Sequence, residues 1–563
     1  EVEGEELMNM QHRGNSPTRF SEISRLIAEN FIHTVVAIDD EMGFDYQVTH
    51  TTDYQLDEPS DVLLGTPQAS EIDDETKPNN PLNYQNLSKY FAEKSIVCSG
   101  LKPLEGDSYI DNTTEAIFKL SKKADITILD WQMEKPGEQS GLIATKAIEK
   151  ILESDVENNG RLRLILIYSG EKLETICDNL AVSLSTFNLI RDTSNEINFR
   201  DEKLRLCKIV FISKRDDEEE LASKAIDLFT DMTCGLLSNA TLAGITEIRE
   251  RTHNLLYKFN KSLDPAYLSH VLALISSPDM REQAYQVAFD YAVDLISEEI
   301  KSELQISKKV KKSLDQDALL EWPNHINPKN HKQKIRIKIG SHNHIFLDNS
   351  RLSGLLSATS ENLQEVLDQE RVFPNDDGLS NLDTFKKSLV QLSIDGDSLN
   401  EHLELSVLQC IRRDNITLND HIPVLKQGVI LRKDNDFYVC IQPLCDSVRL
   451  SGLNSFAFIK VKKGTSKFSH VLKNIDDTYT KLEISKPTSK QLCMIVFNAC
   501  DEDNVVKGTK IDGHQIFKCS SENSYIWCGE FKQPIYQEIV NLVSSSLSRV
   551  GFDSFEWLRM RKS

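Results

Sequence analysis

Residues 124–130 read Ala-Asp-Ile-Thr-Ile-Leu-Asp, a short apolar run that begins and ends beside an acid. Such a run has the length of a strand, and its unbroken apolarity marks one covered on both faces, as in a parallel sheet. The flanks repeat the pattern. Upstream, RFSEISRLIAENFI places Ile23, Leu26, Ile27 and Phe31 at helical spacing and leads into the apolar run HTVVAIDDE at 33–41. A helix near 82–93, the strand SIVCSG at 95–100 and a helix near 113–122 fill the interval. Downstream come the helix GLIATKAIEKILES, the strand RLRLILIYSG at 161–170, the helix EKLETICDNLAVSL and the strand LCKIVFISK at 206–214. Strands alternating with helices predict a parallel sheet with helices on both faces. In such sheets chemistry sits beyond the carboxyl ends of the strands.

Those ends carry a specific set of polar residues. Asp39 and Asp40 end the first strand, Asp130 the third, Ser169 the fourth and Lys214 the fifth. Converging carboxylates repel unless a divalent cation lies among them, and an all-oxygen site suits Mg²⁺. Any one of these residues alone reads as a solvated surface charge; the ordered set is the signal.

The order acid pair, acid, hydroxyl, lysine resembles the receiver domain of two-component response regulators. LDWQM resembles the acceptor strand, with Met133 three residues past the acid, and Gly141 matches the glycine that opens the next helix region. YSG and ISK resemble the hydroxyl and lysine motifs. The resemblance implies an α/β fold with a five-stranded parallel flavodoxin-like sheet. It also implies Asp130 as phosphoryl acceptor, Ser169 and Lys214 as its catalytic partners, and Mg²⁺ on Asp39, Asp40 and Asp130. Three departures stand out: a long loop over 41–80, an expanded stretch between Ser169 and Lys214, and Arg215 where the family has a proline. Ile212 stands where an aromatic switch residue is usual.

The remaining chain divides by pattern. The receiver-like domain is expected over 18–215, a helical connector or dimerisation region over 216–305, a linker over 306–340 and a C-terminal α+β domain over 341–563. Within the helices Leu221, Ala225, Leu228 and Met232 form one stripe; Ile245, Ile248, Thr252, Leu255 and Phe259 form another. Either bundle core or a dimer seam would use such stripes. From about 422 the sequence is strand-rich, consistent with a small antiparallel sheet or barrel.

Composition narrows the function. A formal net charge of −22 argues against direct nucleic-acid binding, whose affinity comes from Lys and Arg on phosphates. No apolar run reaches the ~20 residues of a membrane span. The 11 cysteines form no CxxC pair, which fits single thiols in a reducing cytoplasm. His342 with His344, and Cys445 with Asp446 and His470, are weak alternatives for a metal or nucleophile. No helix-turn-helix is evident, so output through protein–protein contacts is expected. The expected partners are a sensor histidine kinase or an Hsp90-like ATPase protein, with a homodimer through helices 216–305. The architecture also resembles receiver proteins of bacterial antiphage defence. Two other readings stay open: a receiver-controlled hydrolase or nuclease in the C-terminal domain, and a non-phosphorylated scaffold.

Overall fold

A computed structural model describes residues 18–43, 82–193, 195–214, 217–278, 280–331, 333–340, 344–369, 381–387, 390–396, 398–414, 421–465, 468–474, 476, 478–484, 491–500 and 504–547. The chain divides into two compact units, residues 1–253 with 300–328, and residues 254–299 with 329–563. The helical stretch 216–305 is therefore shared between the two. Among the described residues no helix is long and apolar enough to cross a membrane.

The first unit is built on a sheet of β1 (Thr34–Ile38), β2 (Val97–Leu101), β3 (Ile126–Asp130), β4 (Arg163–Ser169), β5 (Leu189–Thr193), β6 (Glu196–Phe199) and β7 (Cys207–Ser213). Their order is β2-β1-β3-β4-β7-β6-β5. The five strands β2, β1, β3, β4 and β7 are parallel, as the apolar runs predict. The sheet nevertheless has seven strands, not five. The expanded stretch between Ser169 and Lys214 supplies β5 and β6, which pair antiparallel and extend the β7 edge. Alternation made them hard to see: in Glu196–Phe199 only Ile197 and Phe199 are buried.

Every residue of β3 and β4 is buried, because helices cover both faces. The two-residue period of a strand sends alternate side chains to opposite cores. Ile165 and Ile167 join Ile143, Ile148 and Ile176 on the face of α3 (Tyr109–Ser121), α4 (Leu142–Glu157) and α5 (Leu173–Ser183). Leu164 and Leu166 join Phe31, Phe91, Ile226 and Leu242 on the opposite face. There lie α1 (Arg19–Phe31), α2 (Tyr84–Glu93), α6 (Glu218–Thr233) and α7 (Leu236–Glu250). Polar contacts fix α1 to α7, with Asn239 donating to Ser24 at 2.9 Å and Arg249 donating to the Phe31 carbonyl at 3.0 Å. The buried side of α7 is Leu242, Ala243, Thr246 and Glu247. Ile245 of the expected stripe is exposed and Ile248 half-buried, so that stripe is not the core face. The helix ends at Glu250 and a new one spans Thr252–Lys258, which breaks the period on which the stripe depended.

The long loop after Asp40 has a closed base. Gly43 N–H donates to the Leu82 carbonyl at 3.0 Å, and Tyr84 N–H donates to the Gly43 carbonyl at 3.2 Å. Residues 44–81, most of the loop expected at 41–80, and Arg215 lie outside the described residues.

The second unit holds a three-stranded sheet of β8 (Ile335–Ile339), β9 (Ile345–Leu347) and β10 (Val390–Ile394). Its larger sheet joins β11 (Ile411–Arg413), β12 (Val429–Lys433), β13 (Asp436–Cys440), β14 (Leu453–Lys463), β15 (His470–Lys473), β16 (Tyr479–Glu483), β17 (Leu492–Asn498), β18 (Thr509–Ile511), β19 (His514–Lys518) and β20 (Ser524–Phe531). The pairings are antiparallel, as expected for the C-terminal α+β region. A bridge from Phe497 to Cys519 brings β17 back to the chain just past β19, so the sheet curls toward a barrel. Phe456, Phe458, Phe497, Phe517 and Trp527 fill its inner core. The helix Gln533–Leu547 covers the outer face through Tyr536, Ile539 and Val543.

Candidate functional site

The strand order reverses at β1, which has β2 on one side and β3 on the other. A crevice opens at the carboxyl ends of strands around such a point. Asp39 follows β1, Asp130 is the last residue of β3, Ser169 ends β4 and Lys214 follows β7. One carboxylate oxygen each from Asp39, Asp40 and Asp130 lies within 4.8 Å of the others. Among the described residues this is the one acidic, histidine or cysteine cluster with metal-site spacing.

Local hydrogen bonds hold the acids. Asp39 Oδ1 accepts from Glu41 N–H at 2.9 Å, and Asp130 Oδ1 accepts from Gln132 N–H at 3.3 Å. Their other oxygens meet one cation: Lys214 Nζ is 3.0 Å from Asp39 Oδ2 and 2.7 Å from Asp130 Oδ2. Asp39 and Asp130 are only 1% and 3% exposed, so water cannot screen them. Burial pushes the Asp130 carboxyl up to about 7, with Lys214 opposing and Asp39 adding to the rise. Asp40 is also raised, by partial desolvation and by the charges of Asp39 and Glu41. For Lys214, burial works against the ammonium, but Asp130 and Asp39 outweigh it and raise its pKa. An all-oxygen donor set in which burial raises the carboxyls of Asp130 and Asp40 fits Mg²⁺.

Ser169 is buried, and its Oγ accepts from Glu171 N–H at 3.1 Å, shaping the turn after β4. Lys214 N–H donates to the Ser169 carbonyl at 2.9 Å, tying the two strand ends together. The family-like residues beyond the set have structural work. Gly141 has φ +80 against the Trp131 indole, where any Cβ would overlap the ring. Met133 is buried in the core beneath.

Two residues that the sequence did not single out also shape the site. Glu134 accepts from Gly141 N–H at 3.0 Å and from Ile143 N–H at 2.7 Å, so its carboxylate caps the first turn of α4. Glu171 accepts from Gln132 Nε2 and, at 3.1 Å, from Ser140 Oγ, linking the loops after β3 and β4. No motif marks either one, since both act through loops that only the fold brings together.

The weaker motifs gain little. His342 lies outside the described residues, and His344 is exposed. Cys445 donates to Asp446 at 3.2 Å, a contact that raises its thiol pKa rather than activating it. His470 packs on Phe531 and bonds with Ser469 at 2.8 Å.

Residues 31–219 match the family model of the response receiver domain. These residues form a receiver domain. The match leaves 220–563 outside it, and points to response-regulator-like signalling. No curated protein and no solved structure matches the chain. The receiver domain thus carries the acidic cluster Asp39, Asp40 and Asp130, of the kind with which receivers hold Mg²⁺.

Proposed function

We propose that this protein is a cytoplasmic response-regulator-like signalling protein whose Asp130 accepts a phosphoryl group from a partner kinase. The observation that carries the reading is the meeting of Asp39, Asp40 and Asp130 with Lys214 at the switch point of the receiver sheet. When bound by the three acids, Mg²⁺ would supply charge neutralisation and open coordination positions for phosphoryl oxygens. A carboxylate oxygen of Asp130 attacks phosphorus on a phosphohistidine; the P–N bond breaks and its electron pair leaves with the imidazole. Lys214 exchanges part of its contact with Asp130 for a phosphoryl oxygen. The Ser169 hydroxyl donates a hydrogen bond to another. Attack by water then releases inorganic phosphate and restores the carboxylate.

The donor in this reading is a sensor histidine kinase, with an Hsp90-like ATPase protein as the alternative partner, in a bacterial antiphage setting. Output runs through protein contacts. A net charge of −22 disfavours nucleic acid, and the second unit exposes Leu268, Leu272, Tyr285 and Phe289 on its helices. Those side chains support self-association through helices 216–305.

Beryllofluoride, a mimic of the aspartyl phosphate, tests the site. With Mg²⁺ it is expected to change Trp131 fluorescence saturably in the wild type and to have no effect in Asp130→Asn. A wild-type protein that ignores beryllofluoride at any Mg²⁺ concentration would remove phosphoryl acceptance and leave a receiver-fold scaffold.

A further inference from the structure

A cavity of about 550 Å³ opens in the second unit between the β15–β16 hairpin and strands β12, β19 and β20. The curl of the sheet creates it, because strands far apart in the sheet order come to line one space. Its wall carries Arg432 on β12, Lys463 at the end of β14, Lys473 at the end of β15 and His514 at the start of β19. Asn474 and Asp476, from the β15–β16 connection, lie beside them.

A half-buried cation ordinarily meets a carboxylate, since removing it from water is costly. Here the side chains of Arg432 and Lys463 make no ion pair or hydrogen bond among the described residues, and Arg432 is half-buried, its charge near enough to Asp476 to help lower that carboxyl's pKa. The Nδ1 atom of His514 is buried and likewise without a partner. Lys473 pairs with Glu404 at 3.7 Å. Among the described residues Asp476 is the one acid on the wall, and it accepts from Thr478 Oγ1 at 2.6 Å and Thr478 N–H at 3.2 Å. In a chain of net charge −22, this concentration of cationic side chains is a local exception.

We propose that this cavity binds a small anion carrying two or more phosphate groups. A guanidinium and an ammonium on one wall match phosphoryl oxygens, the first through paired N–H donors and the second as a point charge. The volume takes a molecule of nucleotide size, and Asp476 and Asn474 supply acceptors for its hydroxyl or amino groups. Cys528 on the same wall has its thiol pushed up to about 12 by burial, which disfavours its thiolate. Receiver chemistry plays no part in this inference.

Calorimetry on the full chain tests it, with the four nucleoside triphosphates and pyrophosphate as probes. The buffer contains EDTA, so that Mg²⁺ cannot bridge a phosphate at Asp39, Asp40 and Asp130. At least one probe is expected to bind with Kd below about 1 mM. In Arg432→Gln the affinity should fall about tenfold or more, with the ligand-free melting temperature unchanged. Lys463 is exposed, so Lys463→Gln gives a second variant with little risk to folding, and its loss should be in the same direction. A nucleotide that binds tighter than pyrophosphate identifies a nucleoside polyphosphate as the source; equal binding identifies the phosphate chain alone. Absence of binding by every probe, or wild-type affinity in both variants, overturns the proposal.

Discussion

Lys214 Nζ stands 2.7 Å from Asp130 Oδ2, a single ammonium facing a carboxylate that is almost wholly withdrawn from water. The same lysine serves Asp39 at 3.0 Å, so one cation offsets two buried acids. A charge deficit of this kind makes the site sensitive to metal and to pH.

Stability should show it first. Asp130 is raised from 3.8 to about 7, so its neutral form is favoured by the fold. A group raised in the folded state contributes stability that is complete below pH 3.8 and is lost as pH rises through about 7. Removing the charge should therefore help the metal-free protein at alkaline pH. Asp130→Asn is expected to be more stable by on the order of 2 kcal/mol at pH 8 in EDTA, and by much less at pH 5. Urea denaturation at the two pH values checks this; a variant less stable than wild type at pH 8 contradicts it.

Metal binding should carry the opposite signature. A cation needs Asp130 and Asp40 ionised, and both are raised above their ordinary values. Mg²⁺ affinity should weaken as pH falls below about 7, by up to about tenfold per unit, and binding should release protons. Trp131 fluorescence titrations at several pH values measure the trend. A pH-independent affinity would mean that Asp130 is not a ligand.

Gly141 has no room for a side chain, since its φ is +80 and the Trp131 indole fills the position of a Cβ. Gly141→Ala should cost about 2–3 kcal/mol and shift the Trp131 emission, while Gly137→Ala, with open space around it at φ +98, should cost about 1 kcal/mol. Denaturant melts of the two variants compare them directly.

Much of the receiver was legible in the sequence because parallel strands are covered on both faces. ADITILD and RLRLILIYSG read as strands for the same reason that β3 and β4 are buried throughout. The strand-end acids and Lys214 were equally legible, since a charge directly after an apolar run can only lie at the sheet's edge. The β5–β6 hairpin was not, because Leu189–Thr193 and Glu196–Phe199 are short and half polar. Nor was the buried face of α7, where Thr246 and Glu247 are in and Ile245 is out. Glu247 can be inside because Ser307 donates to it at 2.9 Å and Arg251 at 2.8 Å, partners that no local pattern foretells.

The exposed apolar helices of the second unit make self-association testable. Leu272 and Phe289 are 64% and 58% exposed, so Leu272→Glu with Phe289→Glu leaves the core intact. The pair of changes should reduce the mass seen by light scattering to that of one chain, with folding preserved. A wild type that is monomeric with and without beryllofluoride would mean that these side chains serve another contact.

Intact-mass spectrometry after incubation with a small-molecule phosphodonor and Mg²⁺ tests phosphoryl acceptance most directly. The wild type is expected to gain one phosphoryl group that is lost on chelation and long incubation, whereas Asp130→Asn gains none. Undiminished labelling of Asp130→Asn, or no labelling of the wild type, would contradict Asp130 as the acceptor.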